Sequence, residues 1–515
     1  MSRRLSGILA LLVVVLAPSL AYGHAERPSS SPPRPGSVPS ASRIRGQHPV
    51  LDVCKSKVNG ARECRFRDIQ AAVNAAPNGA LIRIWPGVYQ ERPSRATKRL
   101  EPDNPDGTFS FDFHKKHPTS ENLIAIVGKK NITLLGMGRR PKDVVIDAGF
   151  ERHVVIRGDR ADGLIIKNLS VWHGFDHGIY VLETSGLLID DVVSGYSREY
   201  AYLTFADDHV LMSDCEATGS GDGGLYPGSS AETPGRVSTE ITRCKSHHNV
   251  LGYSGTQGDH VWVHDTEFYD NAVGFVTDSE TDHPNYPQNN LVFENNRVHD
   301  NNFNIYSEDS DVKATVFEGS ILMPVGVGVW LASGNDNLVQ NNWIWDNGRF
   351  GVWFINGAGL VIGPTSEPFA PPFFSGNNRF IANRMFPPPG AKGGGNATDF
   401  GWDGLGFNNC WQDNASSPDG DPVTSDAPVL PPCTVPVASG PAPHGVPYPP
   451  NMLAQAVLLY ENGEPLCWQL GVEPCIWGPG PKPENARNLP EGMRREWPIP
   501  PTCGPVTCRL VLKRR

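Results

Sequence analysis

The stretch GLIIKNLSVWHGFDHGIYVLETS at residues 163–185 runs straight into GLLIDDVVSGYSREYAYLTFADD at 186–208, and that into HVLMSDCEATGSGDGGLYPGSS at 209–230. Later copies begin near Thr239, His260, Asn290 and Asn337, so the period is about 23 residues with insertions. Each copy holds short apolar runs separated by turn residues, without a helical pattern. One such unit cannot bury its own apolar face, but a stack of them can. Short strands without intervening helices predict an all-β solenoid whose coils rise by about 4.8 Å each.

Aligning the copies places Leu169, Val192, Cys215, Cys244, Thr266, Asn296 and Asn342 at one position. Two cysteines then stack in adjacent coils. A Cys215–Cys244 disulfide is allowed if their Cα atoms lie about 5 Å apart, and stacked free thiols are the alternative. Runs such as Glu294-Asn295-Asn296 and Gln340-Asn341-Asn342 predict turn ladders. Asparagine tolerates left-handed backbone, and its amide can bond up a stack.

The segment FRDIQAAVNAAPNGALIRIWPGVYQE (66–91) puts Ile69, Ala72, Val73 and Ala76 on one helical face. Pro77-Asn78-Gly79 ends that helix, and Leu81–Ile84 reads as a strand. This segment resembles the opening of pectin lyase-like proteins. The resemblance implies a right-handed parallel β-helix over 51–385 with an N-terminal capping helix. The later segment His260-Val261-Trp262-Val263-His264-Asp265 resembles the VWIDH strand of calcium-dependent pectate lyases, with acid and His exchanged; it is read as an ordinary coil strand. The loop 278–284 is loosely similar to the DPH motif of alginate epimerases, in a different residue order.

Past about Met385 the chain turns Pro-, Gly- and Cys-rich, so 386–515 predicts a disulfide-stapled cap over the last coil, or a small binding module. Residues 451–462 could form a short helix. Ten cysteines, an even number, favour disulfides in an exported chain; Cys54/Cys64, Cys410/Cys433, Cys467/Cys475 and Cys503/Cys508 are near enough to pair locally. At the other end, Arg3 and Arg4 precede an apolar run from Ile8 to Ala17 and small residues at Ala21-Tyr22-Gly23. Residues 1–23 read as a signal peptide and the Pro/Ser-rich 24–50 as a disordered linker. With no second membrane segment, the expectation is a secreted, soluble monomer.

The net charge of −10 and pI near 5.8 argue against nucleic acid as partner. An acidic protein acting on an acidic polymer needs a local basic patch or a bridging cation.

The copies share a small residue followed by an apolar pair, as in Gly178-Ile179-Tyr180, Ala201-Tyr202-Leu203 and Gly224-Leu225-Tyr226. Two residues earlier stand Asp176, Glu199 and Asp222, 23 apart each time. Three acids in consecutive coils should share protons or hold a cation, so they are candidate catalytic residues or calcium ligands. Strand alternation puts the acid, the small residue and then Tyr180, Tyr226, Tyr306 or Trp353 on one outer face: a groove with a low floor and rings for sugar stacking. Four residues before the small residue, His248, Asp270 and Asp300 align with Ser197, Ser220 and Asn347, giving His248 and Asp270 as a second acid–base pair. The function this points to is a carbohydrate-active enzyme with a polysaccharide partner: a lyase, epimerase or hydrolase. The alternative is a non-catalytic glycan-binding or structural solenoid.

Overall fold

The computed structural model describes residues 36–55, 64–90, 111–279, 285–305, 310–312, 323–355, 375–402, 404, 406–427 and 429–434. The segment 1–23 read as a signal peptide, Tyr306, residues 280–284, the helix expected over 451–462 and the four cysteines from Cys467 on lie outside them. The described strands, from three to eleven residues long, pair in parallel with their counterparts one coil away. Leu187, for example, pairs with Leu164 on one side and Val210 on the other. Two sheets result, of nineteen and ten strands.

Each coil of the larger sheet bends at one residue with left-handed backbone: Asn168, Asp191, Asp214, Arg243, Asp265, Asn295 and Asn341, with φ between 51° and 56°. Asn and Asp fill most of these positions because they tolerate this region best. The next residue in each coil forms the column read from the sequence. Val192 pairs with Leu169, and Cys215 and Cys244 form a disulfide with Cα atoms 4.4 Å apart. The amides of Cys244, Thr266 and Asn296 then donate to the side chains of Thr266, Asn296 and Asn342, at 3.3, 3.0 and 2.9 Å. The predicted register therefore holds along all seven copies.

The core lies between the sheets. Ile166, Ile189, Met212, Ile241 and Val263 come from one side, and Ile156, Ile179, Leu225 and Phe275 from the other, all in one cluster. Each such side chain contributes about 2 kcal/mol by leaving water.

Helix α1 (Ile69–Ala75) caps the N-terminal end, with Ile69, Ala72 and Val73 buried as its periodicity required. Its Gln70 takes the place of a missing strand: the side chain accepts from Ala125 N–H at 2.6 Å and donates to Ala125 C=O at 3.2 Å. Two boundaries differ from the sequence reading. Residues 36–50, assigned by composition to a linker, are docked, with a 3-10 turn at Ala41–Arg45. Arg43 bonds Asn131 and Gly163 C=O at 2.9 and 2.7 Å, contacts that composition does not reveal. At the other end the solenoid does not stop at 385, since Thr398–Trp402 and Cys410–Gln412 continue the two sheets. Cys410–Cys433 staples that last coil, and Cys54–Cys64 closes a loop beside the cap. Every described cysteine is paired. Among the described residues no helix is long and apolar enough to cross a membrane.

Candidate functional site

The three acids do stack. Glu199 N–H donates to Asp176 C=O at 2.8 Å, and Asp222 N–H to Glu199 C=O at 3.0 Å. The column starts one coil earlier than the sequence reading had it: Asp176 N–H donates to His153 C=O at 2.9 Å, and the His153 ring pairs with the Asp176 carboxylate. His153 stands 23 residues before Asp176, so extending the period backward would have found it.

The alternation assumed around this column does not hold. The small residues face inward: a Cβ on Gly178 would collide with Ser194 Oγ, and one on Gly224 with Ser246 Oγ. They are small because the turn interior is crowded, not to lower a groove floor. The next position back, His177 and Tyr200, joins the outer face instead. The His177 and Tyr200 rings stack at 5.7 Å, and Tyr200 meets Tyr226 at 4.4 Å. Tyr180, Tyr226 and Trp353 do point away from the core cluster, but they are only 1%, 2% and 2% exposed. Tyr180 and Tyr226 pack with Leu182, Tyr200, Leu203 and Phe205 in a second apolar cluster, and Trp353 stacks on Trp330 at 5.0 Å. Their faces are engaged by protein and are not free for sugar.

His248 and Asp270 are displaced by one residue from their predicted column. In the coils of Asn249 and Asn271 one residue fewer precedes the small residue, Gly252 or Gly274. Asn249, Asn271, Asn301 and Asn347 continue the column of Ser220, each backbone N–H from Ser220 on donating to the side-chain oxygen of the next coil's Asn at 2.8–3.3 Å. His248, Asp270 and Asp300 occupy the left-handed corner before it, with φ 57°, 52° and 52°, in line with Tyr196 and Gly219. There His248 Nε2 meets Asp311 at 2.7 Å, and Tyr196 donates to the same carboxylate at 3.0 Å. His248 is thus held by Asp311, and its backbone N–H donates to Asp270 C=O at 3.0 Å.

The charges around the acid column are strongly differentiated. At Asp176 burial works against ionisation, but the paired His153, with Arg198 and His177 beyond it, outweighs this and holds the carboxyl well below the usual range. Asp222 is pushed up to about 7 by burial; the Tyr200 hydroxyl that donates to it offsets part of this, and the charge of Asp278 adds to it. His177 is pushed down to about 3 by burial, with His153, Arg157 and Arg198 opposing the pull of Asp176. At neutral pH the face therefore holds an ionised carboxylate, a carboxyl that can carry a proton and a neutral imidazole. Glu199 lies 3.7 Å from His177 Nε2. Arg198, 3.8 Å from Asp176, covers the Phe175 ring.

A calcium ion does not fit this donor set. Asp176 faces His153 and Arg198, Glu199 faces His177, and Asp222 accepts from Tyr200. Among the described residues no three His, Cys, Asp or Glu side chains form a group that could hold a metal ion.

Residues 152–357 match the family profile described as right handed beta helix region. No curated protein matches the chain. Among solved structures, the A-module of the Azotobacter vinelandii mannuronan C-5 epimerase AlgE6 is 15% identical over 71% of this chain and 93% of that one, with a TM-score of 0.46. Pectate lyase Pel9A is 16% identical over 74% and 79%, with a TM-score of 0.34. A rhamnogalacturonan lyase is 11% identical over 70% and 87%, with a TM-score of 0.36.

Proposed function

We propose that this chain, a member of the right-handed parallel β-helix superfamily, is an exported enzyme that acts on a polysaccharide by acid–base chemistry at the Asp176–Glu199–Asp222 column. The observation that carries the reading is the opposite displacement of two carboxyls in one column, Asp176 downward and Asp222 up to about 7. Groups of one type pushed apart by their surroundings are how a site keeps an acid and a base ready at one pH. Asp222 supplies the proton. Glu199, 3.7 Å from His177 Nε2, accepts one. Ionised Asp176 holds the His153 ring in place.

Lyase, epimerase and hydrolase all need this pair, and they differ in whether the base takes its proton from a ring carbon or from water. The buried faces of Tyr180, Tyr226 and Trp353 weigh against the non-catalytic glycan-binding reading, which needs free rings. The disulfides support an oxidising compartment and so export.

The test is incubation of the full chain with a panel of neutral and anionic polysaccharides. Unsaturated products mean a lyase; new reducing ends without unsaturation mean a hydrolase; altered sugar stereochemistry in an intact chain means an epimerase. Asp222→Asn should remove the activity. Turnover that persists when Asp176, Glu199 and Asp222 are all amides would sink the proposed site.

A further inference from the structure

The two ends of a solenoid share one problem: each end coil leaves apolar side chains and a strand edge uncovered. At the N-terminal end helix α1 answers it, with Ile69, Ala72 and Val73 buried. At the other end Cys410–Gln412 is the last strand among the described residues. Trp411 N–H donates to Pro431 C=O at 2.8 Å, and Trp411 bridges to Pro432. Two successive prolines have no N–H to give, so a further strand cannot pair through them. The cover for this end is therefore something other than one more coil.

There is room for it. A cavity of about 470 Å³ opens here, lined by Trp411, Val423, Ala427, Val429 and Leu430, with a polar edge at Gln412. Trp411 and Ala427 belong to the central core cluster, and Val423 and Leu430 pack against it, so the floor of the cavity is the end of the core. Val429 is 57% exposed, more than any other large apolar side chain among the described residues. The Trp411 indole N–H is buried without a hydrogen-bond partner.

The chain itself supplies an occupant. The described residues end at Thr434, next to Cys433, and Cys433 is tied to Cys410 beside Trp411. The chain thus departs from the mouth of the cavity. Sixteen residues, 435–450, then lead to Asn451, and they reach up to about 50 Å when extended. That is ample for a return to a cavity so near. In residues 451–462 Leu453, Ala456, Val457 and Tyr460 fall at i, i+3, i+4 and i+7, one face of a helix. An apolar cavity of ~150 Å³ holds one benzene ring, so this one takes about three large side chains. Leu453, Val457 and Tyr460 match that number.

We propose that residues 451–462 dock as a helix across this end of the solenoid, with Leu453, Val457 and Tyr460 seated in the cavity. The helix closes the core as α1 does at the opposite end. Burial of those side chains is what holds a helix too short to be stable alone in water.

The test is hydrogen–deuterium exchange on the full chain, read in peptides covering 423–430 and 451–462. The expected result is slow exchange in both for the wild type. Val457→Asp should speed exchange in 423–430 about tenfold, and Val429→Asp, on the exposed rim, should do the same in 451–462. Gln455→Asp, on the opposite helical face, should change neither. Random-coil exchange of 451–462 in the wild type overturns the proposal, and that result needs no variant to fold. Protection of 451–462 that survives both Val429→Asp and Leu430→Asp overturns it too, because the segment then packs elsewhere. Protection of 423–430 that is lost on dilution, with a sedimenting dimer that Val429→Asp dissociates, would put a second copy in the cavity and overturn it as well.

Discussion

The same turn is built twice along this solenoid, with two chemistries. In the coils of Asp176, Glu199 and Asp222 the turn interior holds Ser197 and Ser220, and the acids stack beside them. At Asn249 and Asn271 the turn is one residue shorter, from Asn249 onward the interior holds asparagines, and the acid column ends at Val250. An amide is donor and acceptor at once, so Asn stacks on Asn with every coil supplying what the next one needs. Ionised carboxylates only accept, so a column of them cannot satisfy itself and must recruit His153, Tyr200 and Arg198 from neighbouring positions. The amide half is self-consistent and rigid. The acid half is left with groups poised to exchange protons, which is the condition a catalytic face requires.

The strongest way to break this comparison is to remove one rung of the amide column. Asn271 donates to Asn301 Oδ1 and Ser246 C=O, and it accepts from both the backbone and the side-chain N–H of Asn249, all at 3.0–3.2 Å. Asn271→Leu orphans several of these buried groups and should cost about 5 kcal/mol in denaturant unfolding. Ser197 Oγ, by contrast, has no hydrogen-bond partner, so Ser197→Ala should change stability by less than about 0.5 kcal/mol. Equal costs for the two would mean the halves do not differ as described.

Asp222→Asn comes next. Its carboxyl is raised from 3.8 to about 7 in the folded chain, so the folded state binds the proton more tightly than the unfolded one. Wild-type stability should therefore be fullest below pH 4 and decline as pH rises through 7, by roughly 3–4 kcal/mol in all. The amide has no such titration, so the variant should be the more stable form at pH 8. Its activity should fall by about 100-fold or more, and wild-type activity should decline above pH 7. A variant destabilised at pH 8 would show that the negative charge holds the fold, which reverses its assignment to function.

The coil register was legible because period and landmark agree: a 23-residue spacing carries the acids, and the cysteines fall in one column with Thr266 and Asn296. His177 and Tyr200 were missed because the chain does not alternate evenly there. Gly178 and Ile179 both face inward, and that moves the outer face from the small residue to the one before it. The shortened turn at Asn249 was hidden because His248 and Asn249 are both plausible turn residues, and only the hydrogen bonds tell them apart.

A third column tests whether charge can stack when rings provide the contact. On the outer face of the larger sheet His247, Tyr269, His299 and Trp345 lie ring on ring, with centroids 4.8, 5.6 and 4.1 Å apart. The edges of His299 meet Asp300 at 2.7 Å and Glu267 at 3.3 Å, while Lys245 and Arg297 flank Glu267. Burial pulls the imidazole down, but the two carboxylates outweigh it and raise His299 above 6.5. That sign fixes the window: the charged contribution is complete below pH 6.5 and disappears as pH climbs through the raised value. His299→Gln should therefore cost about 1 kcal/mol more at pH 5.5 than at pH 9, a difference kept small by the partial exposure of the pair. If the cost is the same at both pH values, the rings alone hold this column. It would then belong with the amide column as a self-sufficient stack, leaving the acid column as the one stack whose charge is not held for stability.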